Sequence, residues 1–110
     1  MLFRSLAHIT SISPDAARDL HPGDRVQLKV DVRYVLTADT GTLMLIVLAA
    51  DNSAIAQHAV PITRGSGSTT LQASFTVPGT TQIRVYTPLI YQDQDSTAAT
   101  DGRAFTVVPR

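Results

Sequence analysis

The sequence contains no cysteine, no glutamate and no tryptophan. Without cysteine there can be no disulfide framework, no Cys-ligated zinc, no thiol nucleophile and no blue-copper site. Nine basic side chains balance nine acidic ones, and the isoelectric point is about 6.8. Such a chain carries no overall basic field to neutralise phosphates, so no nucleic-acid partner is expected. Long apolar runs are missing too. The longest, Leu43 to Ala50, falls far short of a bilayer span, so no membrane insertion is expected. The N-terminal MLFRSLAHITSI places Arg4 and polar residues where a signal peptide would need an apolar stretch. The compartment is left open by these absences, with an extracellular or cell-surface location expected if the chain belongs to a longer exported protein.

What is present has a β character. All nine acids are Asp and eight of the nine basic residues are Arg, while Thr (14) and Val (10) are abundant. The strong helix formers Glu and Lys are thus nearly absent, and branched residues that fit a pleated surface take their place. From Val26, apolar residues recur at every second position through Leu28, Val30, Val32, Tyr34 and Leu36, with Arg25, Gln27, Lys29, Asp31 and Arg33 between them. That alternation predicts a long strand with one wet face, and Pro22-Gly23-Asp24 supplies the turn before it. A short strand is expected over His8 to Ile12, ended by Ser13-Pro14. Thr37 to Gly41 reads as a loop, Thr42 to Ala50 as a strand apolar on both faces, and Ala54 to Ile62 as a weaker strand. Arg64-Gly65-Ser66-Gly67-Ser68 reads as a flexible connection. Strands alternating from Leu71 to Val77, from Gln82 to Ile90 and from Ala104 to Val108 follow.

Seven short strands separated by turn signals, with no helix for a parallel crossover, predict an all-β, Ig-like antiparallel β-sandwich of about seven strands in two sheets. Residues 1–6 are expected to fray, leaving 7–110 as one domain. The run Ile12-Ser13-Pro14, then Leu20-His21-Pro22-Gly23-Asp24-Arg25-Val26, the strand containing Tyr34, and Thr40-Gly41-Thr42-Leu43 resemble the opening of bacterial Ig-like and fibronectin type III-like modules. The resemblance implies a module of surface or secreted multidomain proteins, with a structural or adhesion role. The chain departs from antibody domains, which carry an inter-sheet cystine and a core Trp. Tyr86 stands near where a tyrosine corner would lie, and reads equally as a half-buried strand residue.

The chemistry-bearing patterns are sparse. Gly65-Ser66-Gly67-Ser68 does not match a nucleophile elbow and has no helix after it, and neither a phosphate loop nor a dinucleotide loop occurs. His8, His21 and His58 stand at no metal-ligand spacing. No catalytic residue, metal or cofactor is therefore expected, and the chain reads as a non-enzyme. Asp93, Asp95 and Asp101 cluster in one loop, but they fail the EF-hand template: Ala98 stands where its glycine belongs and no Glu closes it. With Tyr91 at its border, that loop is the candidate for an alternative, carbohydrate-binding role.

The stronger signal is an excess of apolar side chains. If Leu43, Leu45, Val47, Ile83, Val85 and Leu89 face the core, then Met44, Ile46, Leu48, Tyr86, Pro88 and Ile90 point outward. Neighbouring strands would merge them into an exposed apolar stripe, which marks contact with a protein partner or a second copy.

Overall fold

The computed structural model describes residues 5–15, 18–91 and 97–109, and those residues are all-β. The strands are β1 (Leu6–Ser13), β2 (Arg25–Ala49), β3 (Ala54–Thr76), β4 (Gln82–Tyr86), β5 (Leu89–Tyr91), β6 (Thr97–Ala99) and β7 (Gly102–Thr106). All strand pairs are antiparallel. A parallel bridge, Leu20 to Val107, ties the segment before β2 to the end of β7.

Two very long strands organise the molecule. β2 and β3 form one hairpin whose turn at Asp51–Ser53 uses Asn52 at a positive φ of 69°, a conformation Asn tolerates better than most residues. The Asp51 carboxylate accepts hydrogen bonds from the Ser53 amide and hydroxyl and fixes the turn. Along the hairpin the register shifts between Leu36 and Thr40, dividing it into two halves. In the first half, Arg25 to Leu36 lies between β1 and the stretch Gly65 to Thr76 of β3. In the second, Thr40 to Leu48 pairs with Ala54 to Thr63 on one side, while β4 and β5 pair with β2 on the other. β7 then extends β4, and β6 extends β5. The outcome is a curled, sandwich-like sheet, 51 × 24 × 21 Å in extent, with a three-stranded half (β1, β2, β3) and a half four strands wide, counting β4 with β5 and β7 with β6 as one position each and called the four-stranded half below.

The alternation read from the sequence determines which face is dry. Leu28, Val30, Val32 and Leu36 of the first half and Leu43, Leu45 and Val47 of the second are at most 1% exposed and belong to one apolar cluster. Ile83, Val85, Leu89, Leu71, Phe75 and Phe105 complete that cluster from the remaining strands. In β1 the spacing from Ile9 to Ile12 is three rather than two, and a register shift between Ile9 and Ser11 absorbs the extra residue, so both side chains pack toward the core.

Three sequence expectations are corrected. Thr37 to Gly41 is no loop: β2 runs through it, and Thr40 and Gly41 pair with Thr63 and Ile62. Arg64 to Ser68 is no flexible connection, because Gly65, Ser66, Gly67 and Ser68 pair with Leu36, Val35, Tyr34 and Arg33. Nor does the chain fray up to residue 6. β1 starts at Leu6, paired with Val35, and the buried Ser5 hydroxyl meets Thr37 Oγ1 at 3.0 Å while accepting from its amide.

Gly67 has a packing role that composition disguises as linker chemistry. A Cβ there would lie 2.8 Å from Tyr34 Oη and 3.0 Å from Tyr34 Cζ, so the absent side chain is what lets the tyrosine lie across the strand. Gly67→Ala is expected to cost about 1 to 3 kcal/mol of stability in urea unfolding, as overpacking does. Adding Tyr34→Phe, which removes the nearest atom, should make the double variant less destabilised than the sum of the two singles. Strict additivity would show that the two residues do not compete for the same space.

Candidate functional site

Among the described residues, registers and burial distinguish two outward faces with different chemistry. On the four-stranded half, β2 contributes Thr42, Met44, Ile46 and Leu48. Ile46 stands opposite Tyr86 on one side and Gln57 on the other, and Met44 stands opposite Ala59. Tyr86 in turn faces Gly102, where a Cβ would come within 3.1 Å of the ring, so the ring lies down over β7 as a half-buried strand residue. Arg84 is the one charge in these rows, and its guanidinium is turned to Asn52 Oδ1 and the Ala49 carbonyl at the hairpin turn.

The six sequence-predicted partner residues are largely brought together. Met44, Ile46, Leu48, Tyr86 and Ile90 are half-buried rather than fully exposed. Pro88 is the exception and corrects the expected stripe: it is buried. The strand is interrupted there, between β4 and β5. Thr87 is wholly buried with its amide bonded to the Asp101 carbonyl, and the Pro88 carbonyl accepts the Met44 amide. Among the described residues, Leu6 is the large apolar side chain that stands exposed, at 42%.

Of the predicted ligand loop, Asp93 and Asp95 lie outside the described residues, as does the side chain of Tyr91. Asp101 is described, and its carboxylate is occupied by the protein itself. One oxygen accepts the Ile9 amide at 2.8 Å and stands 3.3 Å from His8 Nδ1. The other accepts the Gly102 amide at 2.8 Å and Arg103 Nη1 at 3.1 Å. Arg103 Nη2 then donates to the Ile9 carbonyl at 3.2 Å. In β1 the Ile9 amide and carbonyl point away from β2, so Asp101 and Arg103 supply the edge partners that a further strand would have supplied. Partial burial pushes the Asp101 carboxyl upward, but the Ile9 and Gly102 amides and the Arg103 guanidinium outweigh it and hold the group below the usual carboxylate range.

The histidines do not converge. His8 stands beside Asp101, His21 Nδ1 lies 2.7 Å from the Val108 carbonyl, and His58 Nδ1 accepts the Gln72 amide at 3.2 Å. Among the described residues no group of three or more His, Asp, Glu or Cys side chains could hold a metal ion.

The outer face of the three-stranded half is polar from Arg25 to Arg33 and ends in an apolar pair, Val35 of β2 opposite the exposed Leu6 of β1. Its central row is Arg25, Gln27, Lys29, Asp31 and Arg33, flanked by Thr76, Ser74, Gln72, Thr70 and Ser68 of β3 and by Ser13, Ser11 and His8 of β1. Asp31 is held from both neighbours: Ser11 and Thr70 each donate a hydroxyl at 2.6 Å, one to each carboxylate oxygen. Those two hydroxyls, with Lys29 nearby, lower its pKa despite some desolvation. Open concavities adjoin both ends of the row. One, of about 490 Å³, includes Ser13, Arg18, His21, Arg25 and Gln27, and the other, of about 430 Å³, lies among Arg33, Val35, Ser66, Gly67 and Ser68. The sequence marked these side chains only as a strand's wet face. Their alternation was legible, but the hydroxyl rows on either side depend on pairings the sequence does not display.

No known family profile matches the chain. No curated protein matches it either. Among solved structures it is similar to the crystal structure of a glycosyl hydrolase family 2 member from Bacteroides cellulosilyticus DSM 14838, with a TM-score of 0.62 and 11% sequence identity. The match covers 94% of this chain and 14% of that one, so the chain spans a small part of that protein's length.

Proposed function

We propose that the chain is a non-catalytic structural or adhesion-type module, Ig-like or fibronectin type III-like, that docks to a protein partner or a second copy of itself through the outer face of its four-stranded half. The observation that carries this reading is the near absence of charge on that face. Met44, Ile46, Leu48, Tyr86 and Ile90 form its centre, Ala59 and Ala104 lie beside them, and Arg84 is drawn off to the turn. Such low charge around an apolar centre is what interface cores have and free surfaces lack. The antiparallel pairing of seven strands in a curled, sandwich-like sheet supports the module type. The neighbour's far greater length is compatible with a partner elsewhere in a larger polypeptide.

Ile46→Asp tests the reading, since it places a charge at the centre of the face while leaving the core untouched. The expected result is concentration-dependent self-association of the wild-type chain in gel filtration with light scattering, abolished by the substitution with the β-type circular dichroism unchanged. A wild-type monomer at high concentration, together with unaltered solubility of the variant, would count against it. A second reading, carbohydrate binding by Tyr91 and the Asp-rich loop, draws on the neighbour's being a glycosyl hydrolase. Because Asp101 is already bonded to Ile9, Gly102 and Arg103, that reading rests on Tyr91, Asp93 and Asp95. Silence on a glycan array would remove it.

A further inference from the structure

We propose that the outer face of the three-stranded half binds an extended acidic polysaccharide, laid along the first half of β2. Whole-chain neutrality hides a local imbalance. Arg25, Lys29 and Arg33 stand in one line on one face, and none of them forms an ion pair among the described residues. Successive members are four residues apart, so the cations repeat about every 13 Å along the strand. The single acid in the row, Asp31, stays ionised and offsets one of the three cations, but both its oxygens accept from Ser11 and Thr70, which leaves it little capacity to bind a ligand hydroxyl.

The chemistry between the cations selects the class of ligand. Gln27, Gln72, Ser68, Ser74, Thr76 and Ser13 provide short hydroxyl and amide groups on the same face, suited to a chain rich in hydroxyls with carboxylates at intervals. A nucleic acid fits poorly. The row has no aromatic side chain on which a base could stack, and three cations fall far below the phosphate density of a polynucleotide. The concavity beside Arg33 gives an extended chain a place to continue beyond the row, whereas the one beside Arg25 also holds Asp19 and Asp24 and favours an end of the acidic chain there. This surface is opposite in position and in chemistry to the uncharged face proposed above for docking, so the two can succeed or fail separately.

The test is isothermal titration of the intact chain with a linear oligogalacturonate long enough to span the row, alongside a neutral cello-oligosaccharide, poly-aspartate and single-stranded DNA. The expected result is binding of the oligogalacturonate that weakens as salt is raised, with little binding of the other three. Lys29→Gln combined with Arg33→Gln should weaken it by about tenfold or more, as loss of two charge-assisted contacts does. Asp31→Asn should leave the affinity unchanged or raise it a few-fold, and Ile46→Asp should leave it unchanged. Four outcomes overturn the proposal. These are no binding of the oligogalacturonate, equal binding of the neutral oligosaccharide, equal or tighter binding of poly-aspartate or DNA, and undiminished binding by the Lys29/Arg33 variant with its circular dichroism intact.

Discussion

Leu45→Ala is expected to lower the stability of the chain by about 3 kcal/mol, within the range seen when a fully buried leucine is truncated and its surroundings only partly collapse. Leu45 is 0% exposed, lies in the middle of the second half of β2 and belongs to the one apolar cluster that both halves share. It is paired with His58 on one side, so the backbone on which it stands is held and cannot move far to fill the void. In urea the unfolding midpoint should fall by roughly 1 to 2 M with an unchanged slope. Ser74→Ala, on an exposed position of β3, should shift stability by no more than about 0.5 kcal/mol. Equal effects of the two substitutions would mean that Leu45 is not in the core.

The second large effect is expected at Asp101. Asp101→Ala removes an acceptor shared by the Ile9 amide, the Gly102 amide and the Arg103 guanidinium, and leaves a partly buried cation without its counter-charge. A loss of about 2 to 4 kcal/mol is expected, because hydrogen bonds to a charged group are among the stronger ones and the abandoned donors are poorly placed to recover water. Amide exchange should separate this from a general loss of stability, since Ile9 should exchange faster even under conditions where the core amides stay protected. Acid should reproduce part of the effect. The folded-state carboxyl titrates below its ordinary value, so its contribution is complete above the unfolded-state pKa of about 3.9 and disappears as pH falls through the lower folded value. The stability gap between the wild type and Asp101→Asn should therefore be widest near neutrality and close at strongly acidic pH. A gap that stays constant over that span would show that the ionised form is not what the fold uses.

The two residues also show what could be read from the sequence and what could not. Leu45 was legible, because alternation through Leu43, Leu45 and Val47 assigns a dry face to any strand, wherever that strand lies. The same logic predicted strands over Thr42 to Ala50 and Gln82 to Ile90, which the structure pairs as β2 with β4 and β5. Asp101 was legible only as a carboxylate in an acidic loop. Its actual partner, the Ile9 peptide group, is 92 residues away and is freed by a register shift in β1. Thr37–Gly41 and Arg64–Ser68 misled for a different reason. Small and polar residues favour turns in isolation, yet here Gly65 to Ser68 pair with Leu36 to Arg33, and Thr40 and Gly41 with Thr63 and Ile62, and pairing outweighs local preference. Pro88 misled because strict alternation assumes an unbroken strand, whereas the chain leaves the ladder at Thr87 to reach the Asp101 carbonyl.

The shared hairpin has a consequence for how the molecule is assembled. Since β2 and β3 each pass through both halves, the turn at Asp51–Ser53 sets the phase of two layers at once. A slip of one position there would turn Leu71 and Phe75 outward in one layer and Val60 and Ile62 in the other, so mispaired states forfeit most of the interior together instead of lingering half-formed. Alignment of the two longest ribbons is thereby tied to the four residues, Ala50 to Ser53, that join them.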